Sequence, residues 1–589
     1  MLPLLLLPLA ATAQVEGWFD EGDDAEAMGE LNDMAEEWHS HRINLNDTAS
    51  LCDVPIVSPF QRRALASYIV LHGQLLSTAE LRFVPGFDSA WMARWGDCVE
   101  ARPCPAPRGW RLADGHHSLV AGMTDGNLTD ADPRALLAYS YNLHGRLRLR
   151  LTADRDPGEP WGQGNFVGWH AMLADVGRLE RLIVGRYNLQ FGQGLTLWTG
   201  LRPFTSFGTP TMRYAAGVKA SSAFYEDDGQ QGVAASISAG RGWSVQPFAS
   251  RSDGEWLGGA HVEMRKGNLV AGATVAAIML DSLPQARALV YNANRFEGRR
   301  QLNCGLDWMY SWRGTTLYGE VAAGGDGSAA ATGGARLAAS AERWLAVGGR
   351  WLGKRYNNLH AQPWFMGQPQ GELGFTAEGA STLPLGLHGT AMLDMHRFDM
   401  LRYGCYMPSS GAWLRLQLKR EWGNRWSASL RYADRLKERN MPNIDSTAYL
   451  DEQTARRQLQ AEASWTDGSW RCAAKAVAVD FSTEHGNRER GAMLAVTVRH
   501  NGRRLRLDGG LELFDVGGYY ARIYVSESNL QYNWSMPMLY GRGARGYAVA
   551  RLSLGSHWTL AAKTALTHTV RNGTTTTQPS ASLQMRLAL

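Results

Sequence analysis

From about residue 108 to the end of the chain, apolar and polar residues alternate with a period of two. Leu147, Leu149 and Leu151 alternate with Arg146, Arg148 and Arg150. Leu414, Leu416 and Leu418 alternate with Arg415, Gln417 and Lys419. Trp426, Ala428, Leu430 and Tyr432 alternate with Ser427, Ser429 and Arg431, and Leu505 and Leu507 with Arg504 and Arg506. The last residues, 583–589, are apolar at every second position. Successive side chains of a strand point to opposite faces, so each segment carries one greasy and one polar face.

Tight-turn pairs sit between such segments at Gly423-Asn424, Asp467-Gly468, Asn501-Gly502 and Gly555-Ser556. Elsewhere the connections read as long and polar, over 434–455, 482–490 and 526–545. Short turns on one side and long loops on the other are the arrangement of an outer-membrane β-barrel. Allowing roughly 20 residues per strand and connection, the segment 108–589 predicts about 20 to 26 antiparallel strands. A soluble two-sheet protein would put the leucines inside, but it rarely runs to so many strands in one unit. Many outer-membrane barrels end in an aromatic residue, and this chain ends in Leu589.

The pattern upstream is helical. Ser58-Pro59 places an N-cap and a first-turn proline before a run with Leu65, Tyr68, Ile69 and Leu71, which should stop near Gly73. Ser77-Thr-Ala-Glu80 is a capping box that opens a second, short helix, ended by Val84-Pro85-Gly86-Phe87. Asp88 would cap a third helix carrying Trp91, Met92 and Trp95. This predicts a small all-α domain over 41–100. A Pro-rich linker over 101–107 separates it from the barrel, and an acidic helical segment over 14–40 precedes it. Leu2 to Leu9 followed by Ala11-Thr12-Ala13 reads as a signal peptide over 1–13, which implies export.

Composition agrees with strands, turns and membrane interfaces. The 589 residues include 22 Trp, 20 Tyr and 65 Gly, and the mean hydropathy is −0.29. Past the N-terminus no apolar run is long enough to cross a bilayer as a helix. The formal charge of +4 hides an asymmetry: residues 14–107 hold sixteen acidic and six basic side chains, a net of −10 that leaves +14 for the remainder. Six cysteines are present, and in an oxidising compartment Cys98 and Cys104 could close a short disulfide loop. No CxxC spacing occurs, which argues against a zinc knuckle.

The residues Ile43-Asn-Leu-Asn46, Val54-Pro55, the helix over 59–72 and Leu81-Arg-Phe-Val-Pro-Gly-Phe87 resemble a tandem helix-hairpin-helix domain. The variant is the one at the N-terminus of a family of large secreted Bacteroidota proteins. Val184-Gly-Arg-Tyr187 and Phe191-Gly-Gln-Gly-Leu195 match that family's downstream region. The resemblance implies a barrel behind a helical module that can bind DNA without reading its sequence, through Arg62, Arg63, Val84, Gly86 and Arg94. Helix N-termini and glycine hairpins receive phosphates in such modules. Two departures oppose this: Ile56 stands where the first hairpin expects glycine, and Asp88 follows the second hairpin. The other expectation for the module is a plug or a docking unit for a periplasmic protein.

The polar faces of the alternating segments are a second candidate. Arg146, Arg148, Arg150, Arg415, Lys419, Arg431, Arg504 and Arg506, with Lys475 and Lys563, are expected to line the lumen. They would favour anions or pair with acidic groups inside. Gly185, Gly192 and Gly194 read as close strand packing or a barrel bend. His116-His117 reads as a polar turn, and Asp154, Asp156 and Glu159 as loop polarity rather than a calcium site. No metal, cofactor or catalytic motif stands out. The reading is therefore a non-enzymatic outer-membrane barrel for transport or assembly, in contact with membrane lipid. DNA binding or uptake is the alternative.

Overall fold

The computed structural model describes residues 43–46, 51, 57, 59–84, 87, 91 and 99–103. From 111 to 589 it describes all but 127, 129–131, 144, 161, 163–164, 201–211, 214, 222–228, 285–289, 341–342, 368, 424, 443–448 and 534–535. The expected signal peptide, the acidic segment 14–40, Gly86, Arg94, Cys98, Cys104 and most of the linker lie outside these residues.

Twenty-four antiparallel strands pair in sequence order and close into a barrel, from His116–Asp125 to Thr574–Ala588. The seam joins the last strand to the first, with Leu587 opposite Leu119 and Gln584 opposite Gly122. An extra short strand, Gly217–Ala220, lies against the end of Leu179–Gln190, which also pairs directly with Gln230–Gly240. Closure leaves the sheet no free edge strand, as a bilayer demands of spanning strands.

The two ends of the barrel differ. At one end the connections are 144–146, 177–178, 241–242, 267–268, 313–314, 339–343, 384–386, 423–425, 468–469, 502–504 and 555–557. At the other end lie 191–229, 281–299, 353–371 and 517–540. In an outer-membrane barrel the short turns face the periplasm. The first barrel strand starts and the last one ends at that side, so the N-terminal module enters there.

Burial alternates along the strands as the sequence does. In Arg488–Asn501, Leu494 and Val496 are exposed while Met493 and Ala495 are buried. Leu306, Leu511, Leu513 and Leu583 belong to the same exposed set, and Glu320, Thr376, Asp394 and Gln460 are buried. The greasy face is thus outside and the polar face inside, the inverse of a soluble barrel. Exposed Trp243, Trp312, Trp422, Trp426, Trp470 and Trp558 stand at the short-turn ends of their strands. Trp256 and Trp351 stand at the other end. These form the two aromatic girdles of a membrane-spanning band. The protein is an outer-membrane β-barrel. Among the described residues no helix is long and apolar enough to cross a membrane, and strands make the crossing.

Two of the connections expected to be long are short. The strands Trp426–Pro442 and Tyr449–Asp467 run through most of 434–455, leaving 443–448 between them. Only 484–487 separates Trp470–Thr483 from Arg488–Asn501. A strand that continues beyond the lipid is polar on both faces, so polarity there does not mark its end. His116-His117 is likewise no turn: it opens the first strand, and His117 exchanges backbone hydrogen bonds with Leu589.

The N-terminal module contains the helix Pro59–His72 and a 3-10 helix, Thr78–Phe83. Gly73 at φ +88 ends the first, and the capping box of Ser77 and Glu80 opens the second. Leu45, Leu51, Leu65, Leu81 and Phe87 form its core. The module is not purely helical, because Ile43–Asn44 pairs in parallel with Val99–Glu100. Asparagine side chains hold this closure. Asn46 exchanges hydrogen bonds with the backbone of Leu75 at 2.8 and 2.9 Å, and Asn44 accepts from the amide of Arg102 at 3.1 Å.

Candidate functional site

The lumen is occupied by the chain itself. Three of the long connections turn inward as straps and fasten to the inner wall.

The first strap follows Gln190. Gly192 and Gly194, at φ +56 and +86, curl the backbone so that successive amides point one way. That concavity receives the carboxylate of Glu320, from the strand Thr315–Gly324. One oxygen accepts from the amides of Gln193 at 2.6 Å and Leu195 at 3.0 Å. The other accepts from the Thr196 amide at 2.8 Å and hydroxyl at 2.7 Å. The backbone form is the one that elsewhere cradles phosphate, here filled by a carboxylate of the same chain. The glycines are needed for space as well as for φ. A β-carbon on Gly192 would lie 2.6 Å from a Glu320 oxygen, and one on Gly305 would lie 1.8 Å from the Thr196 hydroxyl. Gly185, at φ +102, fits the close-packing expectation, since a β-carbon there would meet the Trp169 carbonyl at 2.3 Å.

The second strap, 353–371, lies on the first. Tyr356 donates to the Leu195 carbonyl at 2.8 Å, and Asn358 to those of Leu195 and Thr196 at 3.0 and 2.7 Å. Burial pushes the Tyr356 hydroxyl pKa up. Beneath the strap, Arg350 bonds Glu372 at 2.5 Å and Asp394 at 2.7 and 3.0 Å. The Trp364 indole donates to Thr376 at 3.1 Å and Asp394 at 3.2 Å. This buried network is fully hydrogen-bonded, which is what makes a buried charge tolerable.

The third strap, 517–540, runs over the opposite wall. Its Glu527 holds Arg545 and, at 3.0 Å, Lys563. Gln531 and Gln584 exchange hydrogen bonds at 3.2 and 2.6 Å, and Asn533 donates to Thr124 at 2.7 Å. Tyr532, at φ +63, packs on Val120, Leu136 and Ala138.

The residues expected to line the lumen are placed as follows. Arg150 stacks over Tyr532 at 5.2 Å, and Arg415 over Trp413 at 3.4 Å. Arg431 is buried, Arg148 and Arg506 are half-buried, and Lys419 pairs with Glu421 at 2.7 Å. Arg146 and Arg504 lie in short turns rather than in strands. Lys563 meets the third strap as described, and Asp154 is committed to Arg134. In the N-terminal module Arg62 and Arg63 lie on the helix and Val84 is buried. Arg62 is close enough to Asp175, beside the turn 177–178, for their charges to interact. The described part of the module therefore brings no cation cluster together, and Gly86 and Arg94 lie outside it. No group of three or more metal-ligating side chains occurs among the described residues.

Another cationic grouping lies higher on the wall. Arg435, Lys437 and Arg439 project inward from Trp426–Pro442, Arg456 projects from the neighbouring strand, and Arg522 comes from the third strap. Phe481 and Tyr520 complete the cleft. The signal lies in the sequence, since cations recur at 431, 435, 437 and 439 on one face. Reading 434–455 as a loop concealed it.

No protein-family model matches the sequence, and no curated protein matches it. Several solved structures overlap the barrel. The copper transporter OprC overlaps at 9% identity, covering 83% of each chain, with a TM-score of 0.44. The siderophore receptor PirA from Acinetobacter baumannii overlaps at 6% identity over 81% of this chain and 80% of that one, with a TM-score of 0.42. The ferripyoverdine receptor of the Pseudomonas aeruginosa outer membrane overlaps at 10% identity over 83% and 73%, with a TM-score of 0.36. The ring of strand pairings, and not these overlaps, defines the barrel.

Proposed function

We propose that the protein is a gated outer-membrane transport barrel whose lumen is closed by its own straps. The supporting observation is the seat of the first strap on Glu320. A barrel with this many strands would leave a wide aqueous channel if nothing filled it. Here the fill is a strap held by four hydrogen bonds to one carboxyl side chain, a contact that can be made or lost as a unit. Passage of a solute then requires the first strap to leave Glu320.

The N-terminal module serves as a periplasmic docking unit in this reading, and the straps take the role of the plug. Entry of the chain at the short-turn end and the nearness of Arg62 to Asp175 support that side. We also retain the tandem helix-hairpin-helix relationship as a proposal, supported by the helix over 59–72 and the capped turn at Ser77. Catalysis forms no part of the reading.

The test is conductance in planar lipid bilayers. The wild-type protein should be closed or nearly so, and Glu320→Gln should show long-lived openings. A wild-type channel already fully open, or a folded E320Q barrel as closed as the parent, would overturn the gate.

A further inference from the structure

A groove of about 740 Å³ opens on the outer wall, at the end away from the short turns. Two adjacent rows of outward side chains build it. Ala249, Gly258, Ala277 and Leu302 follow one another across the ladders in the first row. Arg251, Trp256, Met279 and Arg300 follow one another in the second, nearer the barrel rim. The alternate residues Leu257, Ile278 and Asn303 are buried, while Trp256, Met279 and Leu302 are exposed, so the groove faces lipid. Its floor is open because three small residues stand side by side. A β-carbon on Gly258 would meet nothing nearer than the Phe248 carbonyl oxygen at 3.9 Å. Phe296, from the connection 281–299, lines the groove as well.

The rim end is polar. Gln301, Asp326, Ser328 and Asn357 reach it, and Arg300 is exposed there. Asp326 is engaged by the Ser328 amide at 3.0 Å and hydroxyl at 2.5 Å. Arg251 lies over the Trp256 ring at 4.9 Å and bonds Asp281 at 3.1 Å. Apolar walls thus meet a polar, arginine-bearing edge at the aromatic girdle, where hydrocarbon gives way to headgroups.

We propose that this groove binds a phosphorylated, multiply acylated glycolipid of the outer leaflet. One acyl chain lies over Ala249, Gly258 and Ala277, between Trp256 and Leu302, and a headgroup phosphate pairs with Arg300. A hollow in a lipid-facing wall is filled by lipid, and its place at the end opposite the short turns selects the outer leaflet. Its volume falls within the roughly 300–1,000 Å³ of ligand sites. A guanidinium matches phosphate oxygens in pairs. Asn357, Gln301 and Ser328 offer hydrogen bonds to sugar hydroxyls, which a simple phospholipid lacks. The inference rests on the barrel's orientation in the membrane and not on the gate.

The experiment is native mass spectrometry of the full-length protein, refolded in detergent without lipid and titrated with lipid A or with phosphatidylglycerol. The wild type should retain one lipid A, at least tenfold more tightly than phosphatidylglycerol. Ala277→Trp, which fills the floor, should weaken lipid A binding at least tenfold. If that variant does not regain the heat-modifiable mobility of the folded barrel, Arg300→Glu, at the exposed rim, should weaken it severalfold. Leu494→Trp, on a distant part of the outer wall, should bind as the wild type does. No retained lipid A, or equal retention by the folded groove variants, overturns the site. Equal retention of phosphatidylglycerol overturns the glycolipid assignment, and a dimer that lipid A does not displace would show that a second copy covers the groove instead.

Discussion

Glu320 and Thr196 meet twice through one carboxylate oxygen, which accepts both the backbone amide and the hydroxyl of Thr196. Glu320 is 2% exposed, so this carboxyl has left water and is held by aligned amide and hydroxyl donors rather than by a cation. A hydrogen bond contributes roughly 0.5–1.5 kcal/mol net, and a buried polar group left unpaired costs about 1–3 kcal/mol, so the seat is firm while intact and weak once one donor or acceptor is lost.

Gly192→Ala should unseat the first strap. The φ of +56 costs an L-residue about 1 kcal/mol or more, and the new β-carbon would meet the carboxylate. Gly305→Ala should act the same way from the wall side, by colliding with the Thr196 hydroxyl. Both variants should admit a large hydrophilic antibiotic to cells that exclude it when they carry the wild type. Combining either with Glu320→Gln should add little, because all three changes break one contact. Full additivity of the permeabilities would show that the glycines act elsewhere.

Arg350→Met should lower the temperature at which the barrel loses its folded mobility on unheated gels. Glu372 and Asp394 are buried around that guanidinium, and removing one member of a buried charge network costs about 3–5 kcal/mol. Arg350→Lys should recover only part of the loss, since an ammonium cannot reproduce the forked bonds to Asp394. An unchanged melting profile for the methionine variant would show that the network contributes nothing to the wall.

Releasing the third strap is a separate experiment. Glu527→Gln leaves Arg545 and Lys563 facing a neutral amide. Protease cleavage within 517–540, on intact cells, should appear in this variant and not in Glu320→Gln. Cleavage in both would mean that the straps move together.

The barrel was legible in the sequence because its signal is local. Leu149 and Leu151 against Arg148 and Arg150 already separate the two faces, and turn glycines such as Gly468 and Gly555, both at positive φ, mark the hairpins. The straps were not legible, because nothing local says that a loop folds inward. Gly192 and Gly194 gain their meaning only from Glu320, more than a hundred residues away. The cation cleft was lost for another reason: Arg435, Lys437 and Arg439 continue a strand where lipid no longer demands an apolar face. In the N-terminal module the capping box at Ser77 was readable, but the parallel pairing of Ile43 with Val99 depends on Asn44 and Asn46 reaching distant backbone.

Arginine substitutions on the outer surface should map the membrane. Leu494 is 62% exposed near the middle of its strand, and Trp470 is 47% exposed at a short-turn end. A basic side chain at the bilayer midplane costs roughly 2–4 kcal/mol, and near the interface about 0–1 kcal/mol. Leu494→Arg should therefore lower folding efficiency into lipid vesicles, as read by the heat-modifiable band, while Trp470→Arg is nearly neutral apart from its lost anchor. Detergent micelles, which deform around a charge, should shrink the difference. Equal costs at both positions would move the apolar band along the barrel axis, and with it the assignment of the short turns to the periplasm.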